Sequence, residues 1–235
     1  HLADEAVPPA LYPRIGERSR AVYDPATGSY RGLFALPSLE HGDARATYAA
    51  GQFPTAGWVA TPDALQAPAI LGPTPFDLAV GRDYGDMTAW RVGDLWLGLV
   101  QRKQLACPRK ADAFLVSSRD GEHWAPVRDE LTPNEDSFIP MAPLDGSPDT
   151  SIHSLTGGAP AEADGLWHFF SGGLDAGGCE PEPAAGGIVR TIVRAGGVAG
   201  LEVVGTPPAV VISRPLQLEP GLRGSVLELN VFVQD

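Results

Sequence analysis

The sequence predicts an all-β protein made of short strands in repeated units, and three observations predict it. The 28 Gly and 23 Pro hold 51 of 235 positions without a period of three, which disfavours long helices and excludes a collagen-like chain. Hydrophobic residues reach 43%, enough for a packed core rather than a disordered chain. An apolar run, a tight turn and an aromatic-rich run recur together three times, at a spacing of about 70 residues. That spacing suits one four-stranded propeller blade with generous loops.

The first copy is Ala21-Val22-Tyr23, the turn Asp24-Pro25-Ala26-Thr27-Gly28, and a strand from Tyr30 to Leu36. The second runs from Met87 to Val92, turns at Gly93-Asp94, and returns through Leu95 to Val100. The third runs from Ser151 to Leu155, crosses a looser Gly/Ala/Asp turn, and returns through Leu166-Trp167-His168-Phe169-Phe170. A second kind of hairpin alternates with these, at 58–63, at 114–124, and at 188–194 leading into 201–204. In the clearest of them Asp120-Gly121 supplies the positive φ of the turn, and Trp124 packs back over the strand. Gly157-Gly158 and Gly172-Gly173 read as turn glycines. After the third unit, 212–218 and 226–233 alternate apolar and polar residues with period two, as in an antiparallel sheet with one wet face. Too few strands follow to close that sheet, so either the chain is cut there or its partner strands lie elsewhere.

Charge excludes some partners. With 17 basic against 29 acidic residues the net charge is −12, and no Lys/Arg cluster is present to grip a phosphate backbone or an anionic membrane surface. No apolar run approaches a membrane span. Cys107 and Cys179 fit neither a metal spacing nor a redox C-x-x-C, and the sequence leaves open whether they pair. No cluster has zinc-ligand spacing, no glycine-rich loop opens a helix, and no Ser sits in a G-x-S-x-G elbow. Neither a cofactor nor a metal is expected.

Ser118-Arg119-Asp120-Gly121-Glu122-His123-Trp124 resembles the S-R-D-G-x-x-W hairpin of the five-bladed β-propeller glycosidases, the β-fructosidase and arabinanase-like superfamily. Arg20 to Tyr30 resembles that group's R-x-x-Y-D-P-x-T-G-x-Y hairpin. Asp77, Arg82-Asp83-Tyr84 and Asp86-Met87 resemble its D-x-x-D-x-Y-x-M start of an inner strand. Pro215-Leu216 through Leu229-Asn230-Val231 resembles the start of its appended β-sandwich. The order of the motifs, across nearly the whole chain, carries the resemblance. It implies that residues 1–208 are the C-terminal blades of a five-bladed propeller and that 209–235 are the first strands of a sandwich. The sialidases are a weaker match, because their S-x-D-x-G-x-x-W box separates the residues that stand adjacent here as Asp120 and Gly121.

The resemblance implies hydrolysis of a glycosidic bond in a small glycan or fructan-like substrate, and it favours a secreted or periplasmic protein. A non-catalytic carbohydrate-binding propeller is the alternative. By this placement the family's nucleophile and transition-state Asp belong to blades outside the chain, and its E-C acid motif is missing, since Cys179-Glu180 has the reverse order. Glycoside hydrolysis needs a proton donor and a second carboxylate across the sugar. Inner strands of a propeller start near its axis, so their first polar residues line one funnel. Glu17 and Asp83 are the candidate catalytic carboxylates there. Arg20, Arg82, Tyr84, Asp86, Asp149 and His153 are the candidate substrate-binding residues. Arg82 is placed to keep Asp83 ionised, and Tyr84, Trp90 and His153 to stack on a sugar face. The blander reading makes Asp83 or Asp149 a turn cap and Arg82–Asp83 a solvated pair. Trp96, Trp124 and Trp167 read as core, and Arg119, Asp120 and His123 as turn residues.

Overall fold

The computed structural model describes residues 20–37, 46–53, 70–127, 137–141, 151–155, 158–174 and 186–198. They form three antiparallel sheets and one short helix. The first sheet orders β1 (Arg20–Asp24), β2 (Ser29–Pro37) and β3 (Ala46–Phe53) consecutively. Helix α1 (Pro75–Ala79) leads into the second sheet, where β4 (Arg82–Val92), β5 (Leu95–Gln104) and β6 (Cys107–Ser118) lie side by side. The far edge of β6 carries the short β7 (Ala125–Pro126) and β8 (Ser137–Ile139). In the third sheet β11 (Leu166–Leu174) pairs on one side with β9 (Ser151–Leu155) and β10 (Ala161–Ala163), and on the other with β12 (Gly186–Arg194).

The hairpins follow local chemistry. Between β1 and β2, the Asp24 Oδ1 accepts from the Ala26 N–H at 3.1 Å and from Arg91 Nη1 at 3.1 Å, so the turn is tied to the second sheet. Burial raises the Asp24 pKa, but the hydrogen bonds from Ala26, Thr27 and Arg91 outweigh it and hold the carboxyl below its usual range. The loose third turn resolves into a strand and a tight turn. β10 pairs with β11 around Asp164 and Gly165, both at positive φ (53° and 72°), an Asp-Gly two-residue hairpin. Gly172 and Gly173, expected in a turn, instead lie within β11 opposite β9. The expected hairpin at 58–63, the strand at 201–204 and the period-two strands at 212–218 and 226–233 lie outside the described residues, as does the boundary at 208.

Two cores follow from the stacking. Val22 and Leu33 of the first sheet meet Tyr84, Met87, Val100, Phe114 and Trp124 of the second. Trp90, Leu97, Leu99 and Leu115 on the opposite face of the second sheet meet Ile152, Leu155, Trp167 and Phe169 of the third. The second sheet is therefore covered on both faces, and β4 is buried without interruption from Asp83 to Trp90. Each large apolar side chain buried this way contributes about 1.5–3 kcal/mol of transfer free energy. Trp96, Trp124 and Trp167 belong to these cores, as expected. Trp90 does too. It is 3% exposed and lies edge-on to Trp167 (6.3 Å) and against Phe169 (5.3 Å), which corrects its reading as a sugar platform.

Candidate functional site

The first strands of the three sheets are neighbours, with β4 lying against both β1 and β9. The polar residues gather at the start of β4. Arg82, Asp83, Tyr84, Gly85 and Asp86 follow one another there, and Asp83 and Asp86 are buried at 5% and 0% exposure. Asp83 Oδ1 accepts from the Tyr84 N–H at 2.8 Å, so its carboxylate is anchored on its own strand. Arg82 is partly buried and its Nη1 finds no hydrogen-bond partner among the described residues.

A bulge re-aims the strand. Tyr84 pairs with Arg102 and Met87 with Val100, so Gly85 and Asp86 together oppose the single residue Gln101. The extra residue brings Asp86 toward the third sheet, where its Oδ2 accepts from the Leu155 N–H at 3.0 Å. Gly85 has no room for a side chain, since a Cβ there would stand 2.2 Å from Gln101 Oε1. Gln101 itself is 2% exposed; its Oε1 accepts from the Asp86 N–H at 3.2 Å and its Nε2 donates to the Ile152 carbonyl.

Tyr84 does not face a ligand. It is 1% exposed, with its ring 5.0 Å from Phe114 and its hydroxyl donating to Asp77 Oδ2 at 2.8 Å, which corrects its reading as a stacking residue. The same Asp77 oxygen accepts from the Thr74 N–H at 3.0 Å and hydroxyl at 2.6 Å, and Thr74 caps α1. The sequence signal for this helix is a Thr-Pro-Phe-Asp capping box with Pro in the first turn, which strand and hairpin patterning does not reveal. On the same end, Arg102 makes a bidentate pair with Asp112 (3.0 and 2.6 Å) and donates to Ser137 Oγ at 3.1 Å. The Ser137 hydroxyl also donates to Asp112 Oδ2. The only sign of this triad in the sequence is a pair of charges interrupting the apolar runs of adjacent strands.

Of the predicted site residues, Arg82, Asp83, Tyr84 and Asp86 are thus brought together on one strand start. Arg20 and His153 are placed by their backbones in β1 and β9, next to β4; their side chains lie outside the described residues. Glu17 and Asp149 also lie outside them. No group of three or more His, Cys, Asp or Glu among the described residues has the arrangement to hold a metal ion. Cys107 is disulfide-bonded, and the only other cysteine of the sequence is Cys179, outside the described residues.

No protein-family model and no curated relative matches the chain. Its structure is similar to that of BT0996 in an RGII complex, with a TM-score of 0.50 and 13% identity over 75% of this protein and 45% of that one. Two further similarities are to a glycoside hydrolase, with a TM-score of 0.49 and 14% identity over 74% of this protein and 44% of that one, and to fructan 1-exohydrolase IIa from Cichorium intybus in complex with 1-kestose, with a TM-score of 0.40 and 15% identity over 73% and 29%. The sequence spans less than half the length of each. At 13% identity the likeness to the first of these is one of fold alone.

Proposed function

We propose that the protein is the C-terminal portion of a five-bladed β-propeller glycosidase, with three blades and the first strands of a β-sandwich. It acts on a small glycan or fructan-like substrate by paired carboxylates. The observation that carries this reading is the buried start of β4, where the Asp83 carboxylate is anchored by the Tyr84 N–H and the preceding residue, Arg82, has a buried Nη1 without an acceptor among the described residues. Asp83 acts as acid or base, Glu17 is its proposed partner, and Arg82 donates to a sugar oxygen. Proton transfer from a positioned carboxyl contributes about 10²–10⁴-fold in rate. The disulfide at Cys107 supports a secreted or periplasmic location, because such bonds persist in oxidising compartments.

One observation favours the non-catalytic, carbohydrate-binding alternative. Both carboxylates at the strand start already accept from backbone N–H groups, Asp83 Oδ1 from Tyr84 and Asp86 Oδ2 from Leu155, which suits holding the site in shape more than proton transfer. A panel of fructo- and arabino-oligosaccharides decides between the two. Hydrolysis by the wild-type protein that falls at least about 10²-fold in Asp83→Asn supports the enzyme. Saturable binding without any turnover, weakened in Arg82→Ala, supports the binding protein. Turnover indifferent to Asp83→Asn removes Asp83 from the site.

A further inference from the structure

The bulge in β4 faces a second one. In β9, Leu155 pairs with Ser171, Ser154 with Gly172, and Ile152 with Gly173, so His153 is the extra residue with no opposite number on β11. Bulges re-aim side chains and collect beside active sites. Here two of them lie on the first strands of adjacent sheets, one ending at Asp86 and the other at His153.

The two strands are joined across the sheet interface by side chains. The β4 backbone donates from Asp86 N–H to Gln101 Oε1, and Gln101 Nε2 donates on to the Ile152 carbonyl of β9. The β9 backbone answers from the Leu155 N–H to Asp86 Oδ2 at 3.0 Å. The two points of attachment on β9, Ile152 and Leu155, flank His153. All four groups are buried, so water competes poorly for these bonds and each lost partner leaves a buried polar group unsatisfied.

From this closed ring we infer that Gln101 and Asp86 are positioning residues, holding the His153 bulge of β9 in register with the Asp83 end of β4. The inference deepens the glycosidase reading and rests on it. It also reassigns Asp86, read from sequence as substrate-binding, to an acceptor that works through the β9 backbone. The chemistry required of Asp86 is then an oxygen acceptor and not a negative charge. Gln101 must accept and donate at once, which a carboxamide does and neither a carboxylate nor an alkyl group does.

The test uses the whole protein, fructo- and arabino-oligosaccharides as substrates, and amide hydrogen exchange as a readout independent of turnover. Gln101→Ala is expected to lower kcat by about 10- to 100-fold while KM moves little, since a misplaced catalytic group costs rate before binding. Its Leu155 amide is expected to exchange about tenfold faster or more, with Phe169 unchanged, although the Asp86 partner of Leu155 is still present. Asp86→Asn keeps an oxygen acceptor and is expected to recover most of the kcat that Asp86→Ala loses. Should Gln101→Ala fail to fold, Gln101→Glu keeps the acceptor for Asp86 and removes the donor to Ile152, and the same faster exchange is expected. Unchanged Leu155 exchange in the folded Gln101 variant overturns the clamp. Asp86→Asn as impaired as Asp86→Ala overturns the positioning role, because the charge itself is then required. Absence of wild-type turnover sinks the glycosidase reading alone, and the exchange result still decides the clamp.

Discussion

Asp120 shows how much one side chain settles in this protein. Its Oδ1 accepts from the Ser118 hydroxyl (3.0 Å) and from the N–H groups of Glu122 and His123 (2.8 Å each), and its Oδ2 meets His123 Nδ1 at 2.7 Å. The His123 hydrogen bonds and that of Glu122 hold the Asp120 carboxyl well below its usual range, and the Asp120 carboxylate raises the pKa of His123 above 6.5. The contribution of Asp120 is present above its unfolded pKa near 4 and is lost as pH falls through the lower folded value. That of His123 is present below about pH 6.5 and is lost as pH rises through the raised folded value. The turn is therefore most secure between about pH 4 and 6.5. In an NMR titration His123 should show a midpoint above 6.5, and Asp120→Asn should return it to the ordinary histidine range. A His123 midpoint unmoved by Asp120→Asn would remove the pair. Such roles are legible in the sequence because turn chemistry is local: Ser118, Asp120, Gly121 and Trp124 act within seven positions, and Trp124 Nε1 donates to the Gly121 carbonyl as that reading requires. The roles of Gln101 and Asp86 are not, because their partners Ile152 and Leu155 are 51 and 69 residues away.

At the scale of the element, the strands and hairpins are readable from sequence and their irregularities are not. The repeated apolar run locates β4 but says nothing of which residues face solvent when a sheet is covered on both sides, which is why Tyr84 and Trp90 read as sugar-stacking residues and are instead core. A bulge adds a residue without changing composition, so neither the one in β4 nor the one in β9 leaves a local signature beyond a glycine. Gly85 is that glycine, and its reason is space. A Cβ there would stand 2.2 Å from Gln101 Oε1 and 2.6 Å from Lys103 Cε. Gln101 is held at both ends of its carboxamide and cannot yield without breaking a buried hydrogen bond. Gly85→Ala is accordingly expected to destabilise the fold by about 1–3 kcal/mol, the usual cost of overpacking, read as a lower midpoint in urea with little change in slope. An unchanged midpoint would mean that Gln101 is not held where the ring of hydrogen bonds requires it.

Across the whole molecule, the order of the three sheets along the sequence is also their order in space, and what joins them is of two kinds. Apolar side chains fill both interfaces, while a few polar links set the alignment: Arg91 to Asp24 between the first and second sheets, and Thr88 with Gly158, Gln101 with Ile152 and Asp86 with Leu155 between the second and third. Covalent linkage is added at Cys107, where β6 begins. The sequence alone does not choose between a paired and a free thiol, because pairing depends on the distance between two points far apart along it. With Cys179 as the only other cysteine, the bond closes a loop of about 70 residues and stabilises by about 4 kcal/mol in the chain-entropy account. For a protein of this size that corresponds to about 10 °C in Tm. Two residues forming one bond act as a unit, so Cys107→Ser, Cys179→Ser and the double variant should lose stability equally, and not additively. Peptide mapping without reductant should yield one fragment joining the two cysteines. Two alkylatable thiols in the untreated protein, or single-variant losses that add in the double variant, would show that this covalent tie is absent and that the sheets hold by packing and hydrogen bonds alone.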